Sequence, residues 1–237
     1  MSIFAFLEYI SLEKKCSEHT MKAYQANLIA FESYLKSEQS QGGIETASYG
    51  EIRAWIVTLI ESGNSSRTVN RKVSALRSYY KFQLSIKKIR VSPLKEHRAL
   101  KTQTKVALPF SQEEMKNMFE GNIFPDTYIG SMTRTLIQLL YFTGIRRSEL
   151  IDLKVKDIDF HKGLLRVLGK RNKERLVPLL PEIQDHLKML LKSQEDLKIV
   201  READFFFVNE KGKKLSISFV YQCVKKYFSK VSPKTKR

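Results

Sequence analysis

The stretch Thr143-Gly144-Ile145-Arg146-Arg147-Ser148-Glu149-Leu150 decides the reading of this sequence. Upstream, Met132 to Phe142 carries apolar residues at helical spacing, and Thr143-Gly144 interrupts it. Helical spacing resumes from Arg146 to Leu153, so two arginines stand where a new helix begins. Further on comes Gly169-Lys170-Arg171-Asn172-Lys173-Glu174-Arg175-Leu176-Val177-Pro178-Leu179, with Lys170 placed 24 positions after Arg146. Leu164, Leu165, Val167 and Leu168 read as one extended run, and Leu176, Val177 and Leu179 as the other. Residues 169–173 form the polar turn of a predicted β-hairpin.

Working outward, Pro181 to Lys192 is predicted helical on Ile183, Leu187 and Leu190, Phe205 to Val208 is a buried run, and Ser216 to Phe228 is a last helix. Tyr221 and Tyr227 read as packing residues on that helix. Ser111 to Phe119 starts a helix, with Ser111 as cap and Glu113 and Glu114 in its first turn. The first hundred residues also read as helical. Phe4, Leu7 and Ile10 begin one amphipathic segment, and Ser17 caps a second carrying Leu28, Phe31 and Leu35. After Gln41-Gly42-Gly43, a third spans Tyr49 to Glu61 with Ile52, Trp55, Ile56 and Leu59 as its stripe. Gly63-Asn64-Ser65-Ser66 makes a turn and a cap.

The fourth helix carries two stripes. Val69, Val73, Leu76 and Tyr80 recur at helical steps, and so do Arg67, Arg71, Ser74, Ser78 and Lys81 on another face. Such a helix can bury one face and lay the other on DNA. A merely solvated face is the alternative, but Lys87, Lys88, Arg90 and Lys95 follow quickly.

The charge distribution agrees. The net charge is +17; residues 67–105 hold twelve Lys/Arg and one acid (+11), residues 211–237 hold nine Lys/Arg and none (+9), so the rest sums to −3. Two basic blocks on a near-neutral background point to a polyanion, the competing reading of the second being a frayed basic tail. Ser92-Pro93 and Pro109 punctuate a polar, basic stretch, so residues 1–91 are expected to form one domain, 92–107 a linker and 108–237 a second domain. No segment approaches the about 18–20 apolar residues of a membrane span. Met1 to Ile10 reads as a first helix, not a secretory signal. Cys16 and Cys223 lie far apart, and no Cys/His metal spacing or disulfide framework occurs, which suits a reducing cytosol. The fold class is mainly α with a small β-hairpin or sheet.

Both quoted boxes, in this order and at this spacing, resemble those of the tyrosine site-specific recombinases of the Xer and phage-integrase type. Ser17 to Tyr24 is similar to the opening of that family's core-binding domain, with Thr20 and Tyr24 at its matching positions. Ser66 to Tyr80 is similar to its DNA-facing helix, which adds Lys72 to the stripe above. The resemblance implies an N-terminal helical, SAM-like core-binding domain and an α+β catalytic domain. In the family a tyrosine hydroxyl attacks a DNA phosphodiester, leaving a 3′-phosphotyrosine and a free 5′-hydroxyl. Guanidinium groups, not a metal, then hold the charge of the transition state. Arg146 matches the first family arginine, at a helix start whose N–H groups would also face an anion; a structural ion pair with Glu149 or Asp157 is the competing reading. Lys170 matches the lysine that protonates the leaving oxygen, with Lys173 as a competing neighbour. Glu149 is expected to fix Arg146, and Arg147 to touch the DNA backbone.

The family's later His-x-x-Arg helix and nucleophilic Tyr have no counterpart in these 237 residues; none of His19, His97, His161 and His186 is followed by Arg three positions on. The catalytic domain is therefore expected to be incomplete and to expose apolar surface, and the chain to bind double-stranded DNA without cutting it. Its intact relatives would work as homo- or hetero-tetramers on DNA. A non-catalytic DNA-binding module or decoy is the second reading, and an unrelated helix-turn-helix regulator the third.

Overall fold

The computed structural model describes residues 2–40, 42–103, 109–169 and 173–231. Two compact units emerge, Met1–Lys105 and Val106–Arg237.

The first unit is built from α1 (Ser2–Leu12), α2 (Glu18–Ser37), α3 (Tyr49–Glu61) and α4 (Ser66–Ser85). Ser17, Ser48 and Ser65 cap the last three by accepting first-turn N–H groups. The α4 stripe Val69, Val73, Leu76 and Tyr80 is buried, joined by Tyr79 and Phe82. In α1 the buried residues are Phe6 and Ile10, whereas Phe4 is 67% exposed. Both choices satisfy helical spacing; the aromatic edges of Tyr24 and Tyr79, 5.6 and 5.7 Å from the Phe6 ring, decide between them.

Part of the stretch read as a linker docks on this unit. Leu94 is buried. The Asn70 amide clasps the Leu100 backbone, donating to its carbonyl at 2.8 Å and accepting its N–H at 2.9 Å. One leucine and one clasp suffice to tie down chain that composition alone reads as solvated.

The second unit contains α5 (Gln112–Glu120), α6 (Tyr128–Thr143), α7 (Arg147–Asp152), β1 (Ile158–Asp159), β2 (Leu164–Leu168), β3 (Glu174–Pro178), α8 (Pro181–Asp196) and α9 (Ile217–Val231). The strands form an antiparallel sheet in the order β1-β2-β3, with β2 and β3 paired from Leu164↔Pro178 to Leu168↔Glu174. Two-residue β1 is too short for periodicity to reveal. Leu165 and Val167 face a core shared with Leu136, Ile183, Leu187, Leu190, Phe206 and Phe207, while Leu168 and Leu176 are exposed. Buried Gln194 is satisfied by Tyr128, the Phe206 carbonyl and Arg201.

On α9, Tyr227 is buried and stacks on Phe124 with ring centroids 4.4 Å apart. Tyr221 is 52% exposed, contrary to its reading as a packing residue. Six positions apart on a helix of about 3.6 residues per turn, the two tyrosines point to different faces. Apolar surface is exposed at Tyr141 and Phe142 of α6 and at Met189 of α8.

Candidate DNA interface and phosphate site

In the first unit, α2 and α4 bring several of the anticipated residues together. Thr20 and Tyr24 of α2 line a groove of about 340 Å³ with Arg71 and Ser74 of α4. The Tyr24 hydroxyl lies 3.2 Å from Ser78 Oγ, which itself donates to the Ser74 carbonyl at 3.0 Å. Tyr24 is thereby fixed against α4 at the groove. Arg67, Arg71, Ser74 and Lys81 are exposed and Ser78 is half-buried. Arg67 lines a second depression with Lys101 and Thr102, so the docked basic stretch extends the cationic surface of α4. Lys72 stands apart, its Nζ 5.9 Å from the Trp55 ring centroid.

In the second unit, α6 ends at Gly144, whose φ of +62° is the left-handed conformation that favours glycine and whose N–H closes on the Leu140 carbonyl. The chain then turns so that Arg146 caps α7. Glu149 reaches back one turn. Its Oε2 accepts the Arg146 backbone N–H at 2.7 Å and its Oε1 accepts Arg146 Nη1 at 2.8 Å. From β3, Arg175 donates Nη2 to Oε2 at 2.7 Å and Nη1 to Oε1 at 3.0 Å. The Glu149 side chain is 6% exposed and that of Arg146 66%. Hydrogen bonds from Arg175, opposed by burial and reinforced by Arg146, pull the Glu149 carboxyl down to about 2. It is a fixed anion at neutral pH.

This arrangement corrects one expectation: the Arg146 N–H is spent on Glu149 instead of facing an incoming anion. Of the two ion-pair partners considered for Arg146, Glu149 is the actual one; Asp157 pairs with Arg166 at 2.9 Å. The Glu149 pair still leaves most of the Arg146 fork towards solvent.

Lys170 lies outside the described residues. Its neighbour Gly169 closes the hairpin turn by donating to the Lys173 carbonyl at 2.7 Å. Gly169 and Arg146 line one depression of about 310 Å³, with Ser148, Glu149, Asp152 and Leu168. Lys173 and Arg147 are exposed, and the Arg147 guanidinium sits 5.9 Å from the Tyr221 ring centroid. Arg175 was not singled out from the sequence, although it stands inside the second box. No local pattern points to it, because the burial of Glu149, which calls for more than one exposed arginine, emerges only in the fold.

A helical unit followed by an α+β unit with a small antiparallel sheet fits the fold of a tyrosine recombinase. Residues 3–87 match the phage integrase N-terminal SAM-like domain and residues 114–235 match the phage integrase family, and the chain belongs to that family. It is 32% identical over 212 residues to tyrosine recombinase XerC of Staphylococcus aureus (strain MSSA476), covering 90% of this chain and 70% of that protein. Its fold is also similar to that of two solved structures. One is the Tn1549 transposon integrase in complex with circular intermediate DNA (TM-score 0.72, 20% identity, 99% of this chain and 81% of that one). The other is the XerH site-specific recombinase bound to palindromic difH substrate (TM-score 0.73, 20% identity, 94% and 66%).

Proposed function

We propose that this chain serves site-specific DNA recombination or integration, by binding duplex DNA and presenting one backbone phosphate to Arg146 and Lys170. The observation that carries this reading is the exposed Arg146 guanidinium, hydrogen-bonded to a buried, ionised Glu149, at a depression that Gly169, the residue before Lys170 in the chain, also lines. Arginine stays charged and offers parallel donors to phosphate oxygens, so it can hold charge that grows in a transition state. A lysine on a hairpin turn can reach the leaving 5′-oxygen and protonate it. Thr20, Tyr24, Arg67, Arg71, Ser74, Ser78 and Lys81 would grip the duplex, with Lys72, Arg147 and Lys173 adding backbone contacts.

These 237 residues by themselves would bind without cutting. Tyr227 is buried against Phe124, which raises its hydroxyl pKa, and Tyr221 sits beside Arg147. In the intact reaction a tyrosine attacks the phosphorus, a 3′-phosphotyrosine forms and the 5′-hydroxyl leaves; a second 5′-hydroxyl reverses the step. No ATP or metal is needed, because the phosphodiester energy is kept in the protein–DNA bond. A lambda integrase structure is a tetramer bound to a Holliday junction, which supports a homo- or hetero-tetramer here, working in the cytoplasm. The second reading is a non-catalytic module that occupies recombination sites.

The test is electrophoretic retardation of duplexes that the chain itself enriches from a random pool. Retardation that weakens steeply with salt is expected. Failure to retard any duplex at low salt would contradict the proposal.

A further inference from the structure

We propose that Arg175 is a positioning residue: by gripping both oxygens of Glu149 it fixes the β2–β3 pair, at Gly169, against the Arg146 helix start and keeps Arg146 available to a phosphate. Arg175 lies on β3 and Glu149 on α7, 26 positions apart, so this two-pronged contact ties the strand leaving the turn to the helix that Arg146 caps. Gly169 leaves little room beside it. A β-carbon on Gly169 would stand 3.2 Å from Arg175 Nη1 and 3.2 Å from the Lys173 carbonyl oxygen. Residue 169 therefore leaves the guanidinium its place.

The electrostatics give the grip a consequence. Glu149 is an anion hydrogen-bonded to Arg146. With Arg175 present, two guanidinium charges meet one carboxylate and a positive surplus remains for an incoming phosphate. Asp152, at the rim, is paired with Lys214. Without Arg175 the surplus vanishes, and Glu149 competes with the phosphate for Arg146. Lysine keeps the charge but not the fork, because an ammonium is a point charge that does not match both oxygens at once, so Arg175→Lys removes the positioning and spares the surplus. The inference rests on the proposed phosphate site for its effect on DNA, but not for its geometry.

Two measurements on the full chain test it. The first is amide hydrogen exchange in Arg175→Lys. Exchange at the Gly169 and Arg146 amides is expected to quicken about ten-fold, with the amides of α6 and α8 unchanged, as in a local opening. Unaltered exchange at both positions overturns the inference whatever the DNA result. The second is a double-mutant cycle on duplex affinity with Arg175→Lys, Arg146→Ala and both. Arg175→Lys is expected to weaken binding about ten-fold alone and to add nothing in the Arg146→Ala background. Additive losses would mean that Arg175 touches DNA itself or acts through general stability, and would overturn the positioning role. Faster exchange in Arg175→Lys with wild-type affinity for all three variants would uphold the lock and sink the phosphate site instead.

Discussion

Arg175 holds both carboxylate oxygens of Glu149, at 2.7 and 3.0 Å, from a strand that no local sequence pattern connects to α7. This contact places a buried anion directly beneath the one exposed arginine of the quoted helix start that it touches, Arg146. It also makes the site sensitive to acid.

Because Glu149 titrates near 2 in the folded chain and near 4.5 when unfolded, folding favours its charged form. Its contribution is fully present above the unfolded value and is lost as pH falls through the folded one. The stability difference between the wild type and Glu149→Gln should shrink by roughly 3 kcal/mol between pH 6 and pH 2. Denaturant titrations at a series of pH values measure it; a constant difference would mean that Glu149 is not the anion described.

The exposed stripe of α4 makes a quantitative demand on salt dependence. If Arg67 and Arg71 each neutralise one phosphate, replacing both with alanine should flatten the slope of log K against log [salt] by about 1.8. Retardation at several salt concentrations gives the slope. A weaker complex with an unchanged slope would remove these two arginines from the DNA face.

At the hairpin turn, space is the constraint. Gly169→Val puts a branched side chain where Arg175 Nη1 and the Lys173 carbonyl already stand. We expect a loss of about 1–3 kcal/mol in stability and weaker duplex binding. Thermal unfolding and retardation check the two effects; a fully tolerated valine would show that the space at residue 169 does not constrain the guanidinium.

The 237-residue polypeptide should yield no covalent protein–DNA adduct on a nicked suicide duplex, since residues acting as one unit give little when the set is partial. Denaturing gels after incubation read this directly. An adduct that disappears in Tyr227→Phe would show that α9 supplies a nucleophile after all.

Much of this was legible in the sequence because it is encoded locally. Serine caps at 17, 65 and 111 fix helix starts, the α4 stripes follow from helical spacing, and two apolar runs around a polar turn mark the hairpin. What escaped the reading depends on tertiary contact. Phe6 was chosen over Phe4 by rings of α2 and α4. The segment 92–107 reads as linker because the attachment of its first part is one leucine and one amide clasp. Tyr221 looked like core because its helix is amphipathic, yet it lies on the outer face. Arg175 carries no local signal because its partner lies on another element.

The most direct measurement scans single methylphosphonates along a duplex enriched by the chain and compares wild type, Arg146→Ala and Lys170→Ala. Neutralising one phosphate should weaken the wild type while leaving both variants unaffected, at the same position for each. Insensitivity of the two variants at different phosphates, or at none, would contradict the convergence of Arg146 and Lys170 on a single phosphate.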